Sequence, residues 1–350
     1  MPKYVLYQGN VLDAYEKWPA PDVVISDGAY GIRGFEGDTA GTDGLIDWYY
    51  PHIEAWSKVA LPSTALWFWN TEVGWATLHP LLCAFGWEYV QTVVWDKGLS
   101  HIAGNVNGQT IRQYPVVTEV SVLYRRRLFL PTADGALPVK QWLRHEWQRS
   151  GLPLKRANDA CGVKNAATRK YLTQDWLWYW PPGEAVEKMG RYCAQNGKKT
   201  DRPYFSLNGV TPVSASEWDS LRSPWNHRNG LTNVWTRPPL ADSERIKGTL
   251  VKSAPRSSRP SKYSSAHLNQ KPLEFMERQI YSTTVAGGIV WEPFGGLASA
   301  SVAAIQMKRI PYAAECNPVF YALARKRLEE TDLSIFDCCE AEEEINGKNA

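Results

Sequence analysis

The sequence predicts an α/β fold, with a mostly parallel, doubly wound sheet interrupted by a basic inserted lobe. Three observations carry this expectation. Short apolar runs alternate with helical stretches near both ends of the 350-residue chain, the pattern of parallel strands joined by crossover helices. The regularity fails between about residues 125 and 265, where Pro, Gly, Trp and basic residues are mixed. Charge divides along much the same line. Residues 97–265 hold 27 Lys and Arg against 12 Asp and Glu, the remainder 12 against 24, although the chain as a whole is only +3.

Taken in order, residues 4–7 and 23–26 read as short buried strands, 45–59 as a helix, 64–69 as a strand, 75–84 as a helix, and 89–95 and 116–124 as strands. Regular pattern resumes after the insertion. Residues 271–283 suit a helix with Pro272 in its first turn, where a missing N–H does no harm. A strand at 288–291, a helix at 298–307, a strand at 312–315 and a helix at 318–328 follow. Within the insertion, 255–265 is rich in Ser, Pro and basic residues and reads as a linker, and the acidic tail from 331 as disordered. The expected organisation is therefore a catalytic half at 1–124, an inserted lobe at 125–265, a cofactor half at 266–330 and the tail at 331–350.

Composition excludes several classes. Six cysteines without C-x-x-C pairing indicate neither a zinc site nor a disulfide framework, so no metal is expected. The first ten residues lack a basic flank followed by an apolar core, and no apolar run approaches a membrane span. A cytoplasmic protein with no membrane contact is expected. A basic middle in an acidic frame suits a polyanionic partner, solvated loops with surplus Lys and Arg being the plainer alternative.

Chemistry concentrates in two places. Glu292-Pro293-Phe294-Gly295-Gly296 sets glycines between a strand and a helix, where the backbone can approach a ligand and take positive φ. Glu315 closes the next strand, a position from which a carboxylate can accept both hydroxyls of a ribose. No G-x-G-x-x-G occurs, so a phosphate-free adenosine cofactor fits better than a dinucleotide. The second place is Asp27-Gly28-Ala29-Tyr30, directly after the strand at 23–26. By itself Asp27 could equally begin an Asx turn, and the glycine loop could be a packing turn.

Here the chain resembles the DNA amino-methyltransferases, whose signature is Asp or Ser, two prolines and an aromatic residue. Gly28 and Ala29 replace the two prolines, while Asp27 and Tyr30 remain. The resemblance extends to Tyr7-Gln8-Gly9-Asn10, where the usual acid is Asn10, and to Glu119, Thr232-Asn233-Val234-Trp235, Glu244-Arg245 and His267-Leu268-Asn269-Gln270-Lys271-Pro272. It continues through Glu292–Gly296 and Glu315-Cys316-Asn317-Pro318, with Ala298 where the family usually has a third glycine. Catalytic tetrapeptide first, insertion second and cofactor loop last is the order of the family's permuted β-type branch.

The resemblance implies a Rossmann-like, doubly wound S-adenosylmethionine-dependent methyltransferase fold with a basic target-recognition lobe. It implies a catalytic set of Asp27, Gly28, Ala29 and Tyr30, and S-adenosylmethionine contacts from Gly9, Asn10, Lys271, Glu292, Pro293, Phe294, Gly295, Gly296 and Glu315. The partner implied is double-stranded DNA, with the target base flipped out of the stack and a homodimer left open. Asp27 and the Gly28 carbonyl would accept the two N–H bonds of an exocyclic amine, and Tyr30 would stack on the base. Asp at the first tetrapeptide position goes mostly with adenine N6; cytosine N4 is the alternative. Methylation of RNA or protein, or an inactive DNA-binding homologue, are further readings.

Phosphate contacts are expected from Arg125–Arg127, Lys140, Arg144, Lys155, Arg156, Arg169, Lys170, Lys198, Lys199 and Arg202. Trp142, Trp147, Trp176, Trp178 and Trp180 are read as core rather than as wedges.

Overall fold

Strand formation follows the apolar runs. β1 (Val5–Gln8), β2 (Val23–Ser26), α1 (Leu45–Val59), β3 (Ala65–Asn70), α2 (Glu72–Ala84), β4 (Trp87–Asp96) and β5 (Thr118–Arg126) come first. This is a computed structural model, and it describes residues 3–32, 38–39, 41–102, 106–241, 243–246 and 270–331. The expected linker at 255–265, His267 to Asn269, Cys338, Cys339 and nearly all of the acidic tail lie outside those residues.

The chain divides into two compact units, Met1–Arg126 with Ser223–Ala350, and Arg127–Arg222. The second unit holds β6 (Phe129–Thr132), β7 (Gly135–Pro138), α3 (Val139–Arg149), α4 (Arg156–Cys161), α5 (Gly183–Asn196) and α6 (Ala215–Asp219). The first unit resumes with β8 (Val234–Thr236), α7 (Leu273–Thr283), β9 (Ile289–Glu292), α8 (Ser299–Gln306), β10 (Ile310–Glu315) and a helix through residues 318–331.

Eight strands make the main sheet in the order β1-β10-β9-β2-β3-β5-β4-β8, and only β5 runs antiparallel to its neighbours. Period-two alternation sends successive side chains to opposite faces. Val24, Leu66 and Phe68 pack with Tyr49, Ile53 and Trp56 of α1 and Leu78 of α2. Val23, Ile25, Ala65, Trp67 and Trp69 pack with Phe275, Met276 and Ile280 of α7 and Ala300, Ala303 and Ala304 of α8. Helices thus cover both faces, as a doubly wound sheet requires. Buried indoles need acceptors, and α7 supplies them: Trp69 Nε1 donates to Gln279 Oε1 at 3.1 Å, and Trp67 Nε1 to Thr283 Oγ1 at 3.4 Å.

Several limits differ from those read in the sequence. α2 starts at Glu72 because Thr71 caps it, its side chain accepting the Gly74 N–H at 3.1 Å. Pro272 is the N-cap of α7 and not a first-turn residue. The separate unit is narrower than the expected 125–265, because Val234–Thr236 pairs with Val94–Asp96 at the edge of the main sheet. Its 96 residues carry 15 Lys and Arg against 9 Asp and Glu, while residues 223–265 carry 8 against 2. Much of the basic excess therefore lies outside this unit.

The second unit has its own core, with Trp142, Trp147, Trp180 and Trp218 buried among Leu143, Val186, Met189 and Phe205. Trp178 is partly buried against the same core, whereas Trp176 is 88% exposed and so departs from the expected core set. Glu146, fully buried, accepts from Arg149 Nη2 at 2.7 Å and from the Phe205 N–H at 2.8 Å.

Candidate active site

The carboxyl ends of four adjacent parallel strands, β1, β10, β9 and β2, carry Gly9-Asn10, Glu315, Glu292 and Asp27 respectively. Ligands of open α/β sheets bind along this edge, because the connections to the helices splay apart there. The fold thus brings the two chemical segments of the sequence, some 260 residues apart, to one edge.

At the β2 end, the loop that lacks the usual prolines is fixed by other means. The Ala29 carbonyl accepts from Asn70 Nδ2 at 2.9 Å and from the Tyr49 hydroxyl at 3.2 Å. Asp38 accepts the backbone N–H groups of Tyr30, Gly31 and Ile32 at 3.0, 2.7 and 3.2 Å. Asn70 can lie where it does only because residue 74 is glycine: a Cβ there would sit 1.9 Å from Asn70 Oδ1. Gly28 has a steric reason as well. A Cβ at 28 would meet the Phe294 ring at 2.7 Å and the Tyr49 hydroxyl at 2.8 Å, so no proline fits at that position beside these neighbours.

Asp27 and Tyr30 belong to a charge cluster that also contains Glu119 from β5, Lys97 after β4 and Lys271 before α7. The Tyr30 hydroxyl lies 2.7 Å from Asp27 Oδ1 and 2.6 Å from Glu119 Oε1. Lys271 Nζ donates to Asp27 Oδ1 at 2.9 Å, to Glu119 Oε1 at 2.8 Å and to the Tyr30 oxygen at 3.0 Å. Lys97 Nζ pairs with Glu119 Oε2 at 2.9 Å. Burial alone would raise the Glu119 pKa, but Lys271 and Lys97 pull it down to about 2. Burial alone would lower that of Lys271, yet Asp27 and Glu119 raise it above the ordinary lysine value. Tyr30 is pushed well above the usual phenol value by burial and by the two carboxylates, so it stays protonated.

The glycine loop is built differently. Glu292 accepts from the N–H groups of Ala300 and Ser301 at 2.9 and 2.7 Å and from Ser301 Oγ at 2.5 Å, which commits its carboxylate to the first turn of α8. Burial still pushes its pKa up to about 7. Glu315 Oε2 accepts the Gly296 N–H and Oε1 the Asn317 N–H, each at 2.7 Å. Gly296 has φ +52°, and a Cβ on Gly295 would lie 2.9 Å from the Ala314 carbonyl oxygen. Glycine is therefore favoured at 296 by conformation and required at 295 by packing on β10. Ala298, in place of the family's glycine, takes φ +56° all the same, a strained conformation for a residue with a Cβ. Phe294 joins the two segments, its ring 5.0 Å from Trp48 and 4.9 Å from His52 and directly beneath Gly28. Pro293 is buried in the turn between Glu292 and Phe294.

Of the residues expected at the site, Lys271 lies with Asp27 and Tyr30. At the end of β1, the Gly9 N–H donates to the Glu315 carbonyl at 3.0 Å and Asn10 Oδ1 accepts the Leu12 N–H at 3.1 Å. Lys97, Asp38, Tyr49 and Asn70 were not legible from motifs; Asn70 alone had a signal, as the polar residue that ends a wholly apolar strand. A separate cavity of about 350 Å³, lined by Trp67, Gln91, Trp225, Arg228, Tyr281 and neighbours, contains none of the cluster. Among the described residues no group of His, Cys, Asp and Glu suits a metal ion, and no helix is long and apolar enough to cross a membrane.

Solved structures similar to this chain include the M1.HpyAVI–SAM complex (12% identity, TM-score 0.46, 93% of this chain and 98% of that one). PvuII DNA methyltransferase, cytosine-N4-specific, is another (13%, TM-score 0.47, 96% and 94%). A third is TTHA0409, a putative DNA modification methylase from Thermus thermophilus (13%, TM-score 0.45, 94% and 95%). No curated protein matches the sequence. A family model described as DNA methylase matches residues 22–326, nearly the whole chain, and the protein accordingly belongs to the N6/N4 DNA methylase family.

Proposed function

We propose that this methyltransferase carries the methyl group of S-adenosylmethionine to the exocyclic amine of a base flipped out of duplex DNA, with adenine N6 as the target. The observation that carries the reading is the shared edge: Asp27 and Tyr30 end β2, while the glycine loop and Glu315 end the adjoining β9 and β10. The residues present fit that cofactor. Glu315 offers a carboxylate at the second strand end for ribose hydroxyls, and neither 8–12 nor 292–299 contains Lys or Arg for a phosphate.

An exocyclic amine is a poor nucleophile because its lone pair is delocalised into the ring. Asp27 and the Gly28 carbonyl accept its two N–H bonds, drawing the nitrogen toward a pyramidal geometry and aiming its lone pair. S-adenosylmethionine held by the glycine loop and Glu315 would supply an electrophilic methyl, its sulfur keeping the electron pair of the carbon–sulfur bond. Asp27, the nearest anion, stabilises the positive charge that appears on nitrogen and stands to receive the proton it sheds. Tyr30 stacks on the base. In the inserted unit, Lys155, Arg169, Lys170, Lys198 and Lys199 make no side-chain hydrogen bond or ion pair among the described residues, and are assigned to DNA phosphates. Lys140, Arg144 and Arg202 instead bind carbonyls of their own unit.

The test is to incubate the protein with duplex DNA and S-adenosylmethionine, digest the DNA to nucleosides and resolve them by mass spectrometry. N6-methyladenine is expected. N4-methylcytosine alone would overturn the choice of base, and the absence of both would overturn the reading.

A further inference from the structure

The Tyr30 hydroxyl has one proton and two carboxylate neighbours, Asp27 Oδ1 at 2.7 Å and Glu119 Oε1 at 2.6 Å. It can donate to only one of them at a time. Its oxygen accepts from Lys271, whose three N–H bonds are used up on Asp27, Glu119 and Tyr30 itself. In the free protein Asp27, assigned to the substrate amine, is therefore already approached at Oδ1 by a phenol and an ammonium group. A base entering the site competes with both.

Glu119 is the group that can take them over. It is 6% exposed and anchored on its far side by Lys97 at 2.9 Å, so it neither swings away nor is shared with solvent. Two ammonium groups keep it ionised, with its pKa held at about 2 against the effect of burial. This makes it a standing acceptor and a poor store for a proton, which argues against a relay that would deposit one there.

We propose that Glu119 is a positioning residue for methyl transfer: it holds the Tyr30 hydroxyl proton and the Lys271 ammonium so that the Asp27 carboxylate is released to the substrate amine. This rests on the assignment of Asp27 made above. Glu119 touches neither substrate nor cofactor and acts through Tyr30 and Lys271. Lys97 completes the arrangement by fixing the second oxygen of Glu119, which leaves Oε1 to face the hydroxyl.

The experiment measures single-turnover methylation, DNA KM and S-adenosylmethionine affinity for Glu119→Gln, Tyr30→Phe and the double variant of the full chain. Glutamine keeps the length of the side chain but loses the charge, so the hydroxyl proton passes to Asp27. A fall in kcat of roughly tenfold or more is expected, with cofactor affinity within about threefold of wild type. In the Tyr30→Phe background no hydroxyl remains to block Asp27, and the cost of Glu119→Gln should shrink by about threefold or more. An unchanged kcat in Glu119→Gln, or a loss that shrinks less than that, overturns the proposal, because a merely structural glutamate would cost the same in both backgrounds. Where Glu119→Gln does not fold, Glu119→Asp, which withdraws the acceptor by one methylene, is read in the same way. Asp27→Asn separates the two readings. If it methylates at the wild-type rate, the assignment of Asp27 and this inference both fall; if it is inactive while Glu119→Gln behaves as wild type, only the role of Glu119 falls.

Discussion

At the β2 corner of the site carboxylates meet ammonium groups and a phenol, whereas at the β9–β10 corner they meet backbone N–H groups. Asp27 and Glu119 share Lys271 and Tyr30. Glu292 and Glu315 hold the first turn of α8 and the glycine loop. Side-chain partners can be exchanged by rotation about single bonds, but backbone partners cannot be exchanged without unfolding a turn. The first corner is therefore suited to a group that must change partners within a catalytic cycle, and the second to a mould that keeps one shape.

The most severe way to break the contrast is Asp27→Ala. Turnover should fall by roughly a hundredfold or more, since the lost interaction matters chiefly in the transition state. Calorimetric affinity for S-adenosylmethionine should stay within about threefold, because the loop that moulds to the cofactor is untouched. Loss of affinity in step with turnover would show that the corners are not separable.

Proton linkage gives the second test. Burial raises Glu292 from 4.5 to about 7, so the native state keeps a proton that the unfolded chain loses, and stability falls as pH rises across that window. His52 is pushed by burial from 6.5 down to about 4, so stability rises with pH over much of the same range. Each shift is worth about 3 kcal/mol, and they oppose between pH 4.5 and 6.5, so each masks the slope of the other there. In Glu292→Gln the His52 slope is unmasked, and urea midpoints should climb with pH through this window. A flat profile in that variant would contradict the linkage.

A steric test sharpens the role of Phe294. Gly28→Ala should destabilise by about 1–3 kcal/mol through overpacking, and Phe294→Leu in the same chain should recover part of it by vacating the space beneath residue 28. Additive losses in thermal melts would mean that the ring does not set the limit. The smallest effect belongs to Ala298→Gly. Relief of a left-handed alanine is worth about 1–2 kcal/mol, offset by about 0.8 kcal/mol for the buried methyl. Melting should lie between neutral and about 1 kcal/mol more stable, and a clear loss would mean that the methyl dominates.

Much of this architecture was legible in the chain. β2 and β3 are short apolar runs of the kind that doubly covered parallel strands require, and Gly295 and Gly296 marked their turn. Other features were not legible, for physical reasons. Lys271 lies 244 positions from Asp27, and only the strand order brings the two within 2.9 Å. Gly28 looked like a weakened motif because nothing in its neighbourhood reveals the Phe294 ring below it. The inserted unit looked longer than it is because 223–246 has almost no periodicity: its one strand, β8, spans three residues among several prolines. Arg125 and Arg126 read as phosphate contacts, yet Arg125 pairs with Glu88 at 3.1 Å and Arg126 donates to the Phe85 carbonyl at 2.9 Å.

The pairing of β1 with β10 also bears on how the protein is made. Val5 registers with Tyr312 and Gln8 with Glu315, so β1 waits for about 300 further residues before its sheet neighbour exists. At synthesis rates of roughly 5–20 residues per second, that wait is about 15–60 seconds. Through that interval the outermost strand has no template, and the Gly9–Glu315 contact is among the last long-range links to form. A chain released before β10 would hold Asp27 and Tyr30 but not the edge beside them, so the capacity to modify DNA arises only once residues 310–315 have been made.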